Sequence, residues 1–225
     1  MKFIIFDSST IISLAMNGLL DKLEKLKKEF DGKFLITKEV YYEVVELPVT
    51  IKRFEFEAVM VKRLVENKTL EFPESISVKS RDVSNKTKEI LDVANRIFFS
   101  NKKEINLIAS GEASCLALSK ILNDKRIENV VAVYERTTRL LGEKPENLKK
   151  IMEGKLHTKL DARKKNYDYF KGMKFIRSSE LMYVAYKKGI FEINDKLLLD
   201  ALLYALKFKG CSISDEEISE IKGLK

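Results

Sequence analysis

The chain of 225 residues contains no tryptophan and no glutamine, only three prolines and a single histidine, His157. One histidine and two cysteines, Cys115 and Cys211, cannot assemble a His/Cys zinc cluster or a histidine-based nucleophilic triad. The two cysteines lie far apart in helix-like contexts and read as buried thiols rather than a disulfide, which suits a reducing cytoplasm. No apolar run approaches the roughly 20 residues that cross a bilayer. The chain enters a strand at once, so neither a signal peptide nor a membrane partner is expected. The first strand is not followed by G-x-G-x-x-G, which discounts a Rossmann-like nucleotide binder.

Charge is what the sequence has in abundance. Lys and Arg number 42 against 34 Asp and Glu, a formal net charge of +8. Hydrophobic residues make up 45%, enough for a globular core under a highly charged surface. A positive balance is compatible with a nucleic-acid partner. Abundant Lys and Glu without Gln or Trp is a thermophile-like composition, although a low-GC genome also favours Lys.

The chain is organised around residues 1–18. Phe3 to Phe6 is an unbroken apolar run, too short for a helix, and reads as a strand buried on both faces. It stops at Asp7. Ser8, Ser9 and Thr10 then open a helical pattern carried by Ile11, Ile12, Leu14 and Ala15. A carboxylate therefore sits where a strand ends and a helix begins, the edge at which open α/β sheets bind ligands. Asp7 can equally be a helix cap.

Further along, 19–30 reads as an amphipathic helix, 34–36 as a strand and 38–47 as a helix capped by Thr37. Glu39, Glu43 and Glu46 fall on one face of that last helix at regular spacing. Residues 51–67 and 84–99 read as helices, 70–72 as a strand. Ser110-Gly111-Glu112-Ala113 opens a helix whose small residues imply close packing. Val130 to Val133 and Phe175-Ile176 are strands, Pro145 starts a helix, and Ser178 or Ser179 caps another. A helix over 196–209 stops at Gly210, and Ser214 to Glu217 is a capping box. The alternation implies an α/β fold with a mainly parallel sheet of about four to five strands flanked by helices. The chain reads as one domain, 1–225, with a helical elaboration at about 48–103 and a helical tail at about 212–225.

Four segments, F-I-I-F-D-S-S-T-I-I-S-L, I-T-K-E-V-Y-Y-E-V, S-G-E-A-S-C-L-A-L and V-A-V-Y-E-R-T-T-R-L-L, resemble the ordered motifs of a PIN domain. F-I-R-S-S-E-L-M-Y-V-A-Y-K-K-G-I-F is similar to a helix near that domain's end. The resemblance covers about 1–47 and 105–210. It implies a PIN-like three-layer fold and a metal-dependent endoribonuclease using Mg²⁺ or Mn²⁺. Asp7, Glu43 and Glu112 match the family's metal-holding acids. Where the family commonly ends its fourth strand with Asp, this chain has Tyr134, and only Glu135 beside it is acidic. Ser9 is a possible polar neighbour of the metal, or simply a cap.

Hard cations take oxygen ligands, and gathered carboxylates repel one another unless a cation joins them. Each acid also has an ordinary structural reading: Glu43 on a solvated helix face, Glu112 favoured by a helix dipole, Glu135 paired with Arg136 or Arg139. Arg136 and Arg139, with the basic stretch that includes Lys159, Arg163, Lys164 and Lys165, are candidate RNA contacts. Tyr167, Tyr169 and Phe170 either stack on bases or point into the core. The alternatives are an RNA-binding or scaffold protein weakened at the site by Tyr134, or a toxin-type ribonuclease with an antitoxin-like partner. A homodimer is expected by analogy.

Overall fold

In the computed structural model, residues 2–101, 103–134 and 136–224 are described. The strand-forming run is β1, Lys2–Phe6. It is followed by α1, Ser8–Met16, α2, Leu20–Glu29, and β2, Gly32–Leu35. A short helix α3, Lys38–Tyr41, passes into a π-helical turn over Tyr42–Glu46. Then come α4, Glu55–Glu66, and α5, Ser80–Asn95, followed by β3, Phe98–Ser100, and β4, Lys103–Glu104. After them lie α6, Ser110–Asp124, β5, Asn129–Val133, α7, Arg136–Glu143, and α8, Pro145–Leu156. The chain ends with β6, Asp161–Ala162, β7, Phe175–Arg177, α9, Ser178–Lys187, α10, Leu198–Phe208, and α11, Asp215–Gly223.

The fold is α/β. Four parallel strands lie in the order β2-β1-β5-β7, with Ile4 opposite Phe34 on one side and Val130 on the other. Ile5 and Phe6 are fully buried, as an apolar run in a central parallel strand requires. Glu71 adds an isolated parallel bridge to Leu35 where a short strand is expected. A second, antiparallel sheet joins β4, β3 and β6, so the end of the 48–103 elaboration is stitched to the basic stretch. Val61, Leu64, Val83, Ile90 and Ala94 of the elaboration belong to the same hydrophobic cluster as the sheet residues. Among the described residues, no helix is long and apolar enough to cross a membrane.

Several boundaries differ from those read in the sequence. α4 starts at Glu55 rather than at residue 51, and α5 spans 80–95 rather than 84–99. Phe98 is fully buried as part of β3 instead of ending that helix. The basic stretch is not a continuous helix. It passes from the end of α8 through β6 into a 3-10 segment over Lys164–Phe170. Cys115 and Cys211 are both free and buried.

Arg177, at the end of β7, fastens α11 to the sheet. Its guanidinium donates to Glu180 Oε1 and Glu217 Oε1, both at 2.7 Å. It is only 8% exposed, whereas both acids are partly open to water. Removing a fully buried ion-pair partner costs roughly 3–5 kcal/mol, and solvent at the acids reduces that to about 2 kcal/mol here. Arg177→Met is therefore expected to lower stability by about 2 kcal/mol in urea unfolding, with amide exchange accelerating first in α11.

Candidate functional site

The sheet order places Asp7 by topology. From β1 the chain moves to β2 on one side, while β5 and β7 lie on the other. The C-terminal ends of β1 and β5 therefore border the point where strand order reverses, the usual crevice for ligands in such sheets. Asp7 follows β1 directly. Its N–H donates to the Ala132 carbonyl at 3.0 Å, and Thr10 Oγ1 donates to the same carbonyl at 3.0 Å.

Asp7 is also the N-cap of α1. The Ser9 N–H donates to Asp7 Oδ2 at 3.2 Å, and the Ser9 hydroxyl donates to the same oxygen. The cap reading and the site reading of Asp7 are thus both true of one side chain, each using a different oxygen. Oδ1 is buried with no hydrogen-bond partner among the described residues. The carboxyl is pushed up to about 6, chiefly by burial, with the Ser9 bonds opposing and the Glu43 charge adding to the rise. An orphaned buried carboxylate oxygen is costly unless it is protonated or meets a cation.

Glu43 reaches the site through an irregularity. The Leu47 N–H donates to the Tyr42 carbonyl at 2.9 Å, a five-residue span that inserts a π turn. The extra residue rotates the helix, so the expected single face of acids breaks up. Glu39 accepts from Ser84 Oγ at 3.0 Å, Glu46 is exposed, and Glu43 accepts from the Gly111 N–H at 3.2 Å. That N–H is one of the unpaired donors at the start of α6, where a carboxylate also gains from the helix dipole. A Cβ on Gly111 would fall 2.3 Å from Glu43 Oε2. Glycine is what lets the carboxylate sit on the helix end.

Glu112 lies one residue on, but its oxygens are engaged. Oε2 accepts from the Ala109 N–H at 3.0 Å, and Oε1 accepts from the Thr138 hydroxyl of α7. Asp7, Glu43 and Glu112 nonetheless share one neighbourhood. All three charges join burial, the larger cause, in pushing the thiol of fully buried Cys115 upward. Cys115 Sγ donates to the Phe6 carbonyl beneath Asp7 at 3.5 Å. Among the described residues, no group of three or more His, Cys, Asp and Glu side chains is arranged to hold a metal ion. The expected three-carboxylate cage is thus not preassembled. In donor chemistry, the orphaned Asp7 oxygen and the adjacent Glu43 suit one hard cation.

Tyr134 directly follows β5, and its hydroxyl donates to the Lys209 carbonyl at the end of α10, against Gly210. Where an acid would project into the crevice, the phenol ties two elements together. Glu135 lies outside the described residues.

The candidate RNA contacts separate into groups. Arg163 donates to Glu104 Oε1 at 2.7 Å and to the Arg96 carbonyl at 2.8 Å, and it lies over the Phe99 ring. Lys164 pairs with Glu146 at 3.3 Å. Lys159 and Lys165 are exposed. Tyr167 and Phe170 are core residues, and Tyr169 donates to Glu89 at 2.5 Å, so the core reading holds for the first two aromatics. Arg136 and Arg139 of α7 instead line a cavity together with residues of the α10–α11 connection. The sequence does not mark that cavity: in its other wall the local signal is the Ser214–Glu217 capping box, which announces a helix start and not a binding site. No family model, curated protein or solved structure matches the chain.

Proposed function

We propose that the chain is a PIN-type endoribonuclease that hydrolyses RNA with Mg²⁺ or Mn²⁺. The observation that carries this reading is the buried, unpartnered Asp7 Oδ1 at the sheet's crossover point, next to Glu43. Asp7 and Glu43 would hold the cation, and Glu112 would act from the edge of the site. When bound, such an ion lowers the pKa of a water and offsets charge on the phosphate. Ser9 fixes the rotamer of Asp7, so that Oδ1 rather than Oδ2 is offered. Gly111 fixes Glu43. Thr138 holds Glu112 away from the other two carboxylates and limits their mutual repulsion.

The test is cleavage of a labelled single-stranded RNA in Mn²⁺ and in EDTA. Cleavage is expected only with metal, and Glu43→Gln is expected to reduce it by at least about 100-fold, since losing a ligand costs no less than losing a partner behind it. Metal-independent cleavage, or full activity in Glu43→Gln, would defeat the proposal.

A second reading is an RNA-binding protein with a weakened site. It is favoured by Tyr134 at the strand end and by the engaged oxygens of Glu112. It predicts RNA binding without cleavage in any metal, and a gain of cleavage in Tyr134→Asp.

A further inference from the structure

The cavity behind α7 has a volume of about 490 Å³. Its cations are Arg136 and Arg139 from one helix and Lys207 from α10. Ser212 and Ser214 line the loop between α10 and α11, and Glu217 is the one acid in the lining. Glu217 is already engaged by Arg177, and Lys207 pairs with Asp215 at 2.6 Å. The side chains of Arg136 and Arg139 make no ion pair or hydrogen bond with a described residue, although the Arg139 charge reaches Glu217 and helps hold its carboxyl below the usual range. The two arginines lie three residues apart, on one face of α7. Thr138, on a different face, bonds Glu112. α7 thus lies between Glu112 and the cavity, a width of roughly 10 Å.

We propose that this cavity binds a phosphate group of the RNA strand whose scissile phosphate lies at the acids. The inference rests on the nucleic-acid reading above and extends it to a second, metal-free contact. Two guanidinium forks from one helix face match the oxygens of a phosphate, and hydroxyls and an ammonium complete the ring of donors. Lys207 and Glu217 are each already paired, which leaves two guanidiniums with no ion-pair partner among the described residues of the lining, so an arriving anion meets a net positive wall. Held there, the strand passes over α7 with its neighbouring phosphodiester above Asp7 and Glu43. The phosphate is either internal to the strand or a 5′-terminal one.

Binding is measured by fluorescence anisotropy of a 3′-labelled 12-nucleotide single-stranded RNA in EDTA, over a range of salt. The samples are the wild-type chain, Arg136→Gln/Arg139→Gln, and a control, Lys28→Gln/Lys125→Gln, at the opposite sheet edge. The cavity variant is expected to bind at least about tenfold more weakly, with the salt slope reduced by about 2. The control is expected to bind like wild type. Equal affinity and slope in the cavity variant, with an unchanged melting temperature, would overturn the proposal. So would an equal loss in the control. Comparing 5′-phosphate with 5′-hydroxyl RNA identifies the source: a loss on the hydroxyl strand equal to that of the variant marks a terminal phosphate, and no loss marks an internal one. No metal is present, so this binding is independent of whether the acids cleave. Cleavage with no effect of the two arginines would sink the cavity alone, and binding through them without cleavage would sink the nuclease alone.

Discussion

Asp7→Asn is expected to raise the unfolding free energy by about 2 kcal/mol at pH 7.5 in chelated buffer while removing metal-dependent cleavage. The carboxyl sits at about 6 in the fold against 3.8 in the open chain. The folded state therefore binds the proton more tightly, and its stability falls as pH rises from 3.8 through 6. At about 1.4 kcal/mol per pH unit, the charged form costs the fold about 3 kcal/mol above that window. Asparagine removes that cost. Its oxygen can still accept from Ser9, while its amide leaves a buried donor unpaired and returns about 1 kcal/mol. Below pH 4, where the wild-type carboxyl is neutral, only the amide penalty remains and the variant should be about 1 kcal/mol less stable than wild type. Urea unfolding at pH 4 and at pH 7.5, beside an RNA-cleavage assay, reads both effects. A variant that is less stable at pH 7.5 would mean that Asp7 serves the fold as a charged cap, with no conflict between folding and function.

Gly111→Ala is expected to leave stability within about 1 kcal/mol of wild type yet reduce cleavage by roughly 10- to 100-fold. The new methyl would overlap the Glu43 carboxylate, which is the far end of a flexible side chain and can swing aside. Alanine improves the helix by up to about 1 kcal/mol, and losing the bond from the Gly111 N–H costs a similar amount. What changes is the position of Glu43 relative to Asp7. Unfolding in urea and metal-dependent cleavage check the two halves separately. A large loss of stability would mean that Glu43 cannot move, and undiminished cleavage would mean that its seat on α6 does not matter.

The contrast between these two positions reflects what a sequence can carry. β1 and β5 are readable because four or five apolar residues in a row, bounded by polar ones, fit a buried strand and little else, whereas β7 shows only the pair Phe175-Ile176 and its place in the alternation. Asp7 was readable for the same reason, since it punctuates such a run. The caps at Thr37 and Ser214 also follow from local chemistry, and both side chains accept the expected backbone N–H groups. Glu43 is marked in the sequence only by the family resemblance, within what reads as a regular helix. The π turn that aims it packs against α4 and α1 and leaves no local mark. Glu112 stands out by its place in a G-E-A motif, and its bond from the Ala109 N–H is a local cap of α6, but its partner Thr138 is set by the meeting of α6 and α7. Tyr134 was noticed only as a missing acid, whereas its hydrogen bond to Lys209 spans 75 residues. The arginine cavity needed the placement of α10 and α11, which no spacing rule supplies.

The central claim is that the orphaned oxygen of Asp7 awaits a divalent cation. Thermal unfolding of the wild-type chain and of Asp7→Asn, each in Mn²⁺ and in EDTA at pH 7.5, tests it most directly, because a ligand that binds only the folded state raises its melting temperature. Mn²⁺ should raise the melting temperature of the wild-type chain in a concentration-dependent way and leave that of Asp7→Asn unchanged. An identical response of the two proteins, whether both rise or neither does, would contradict the claim.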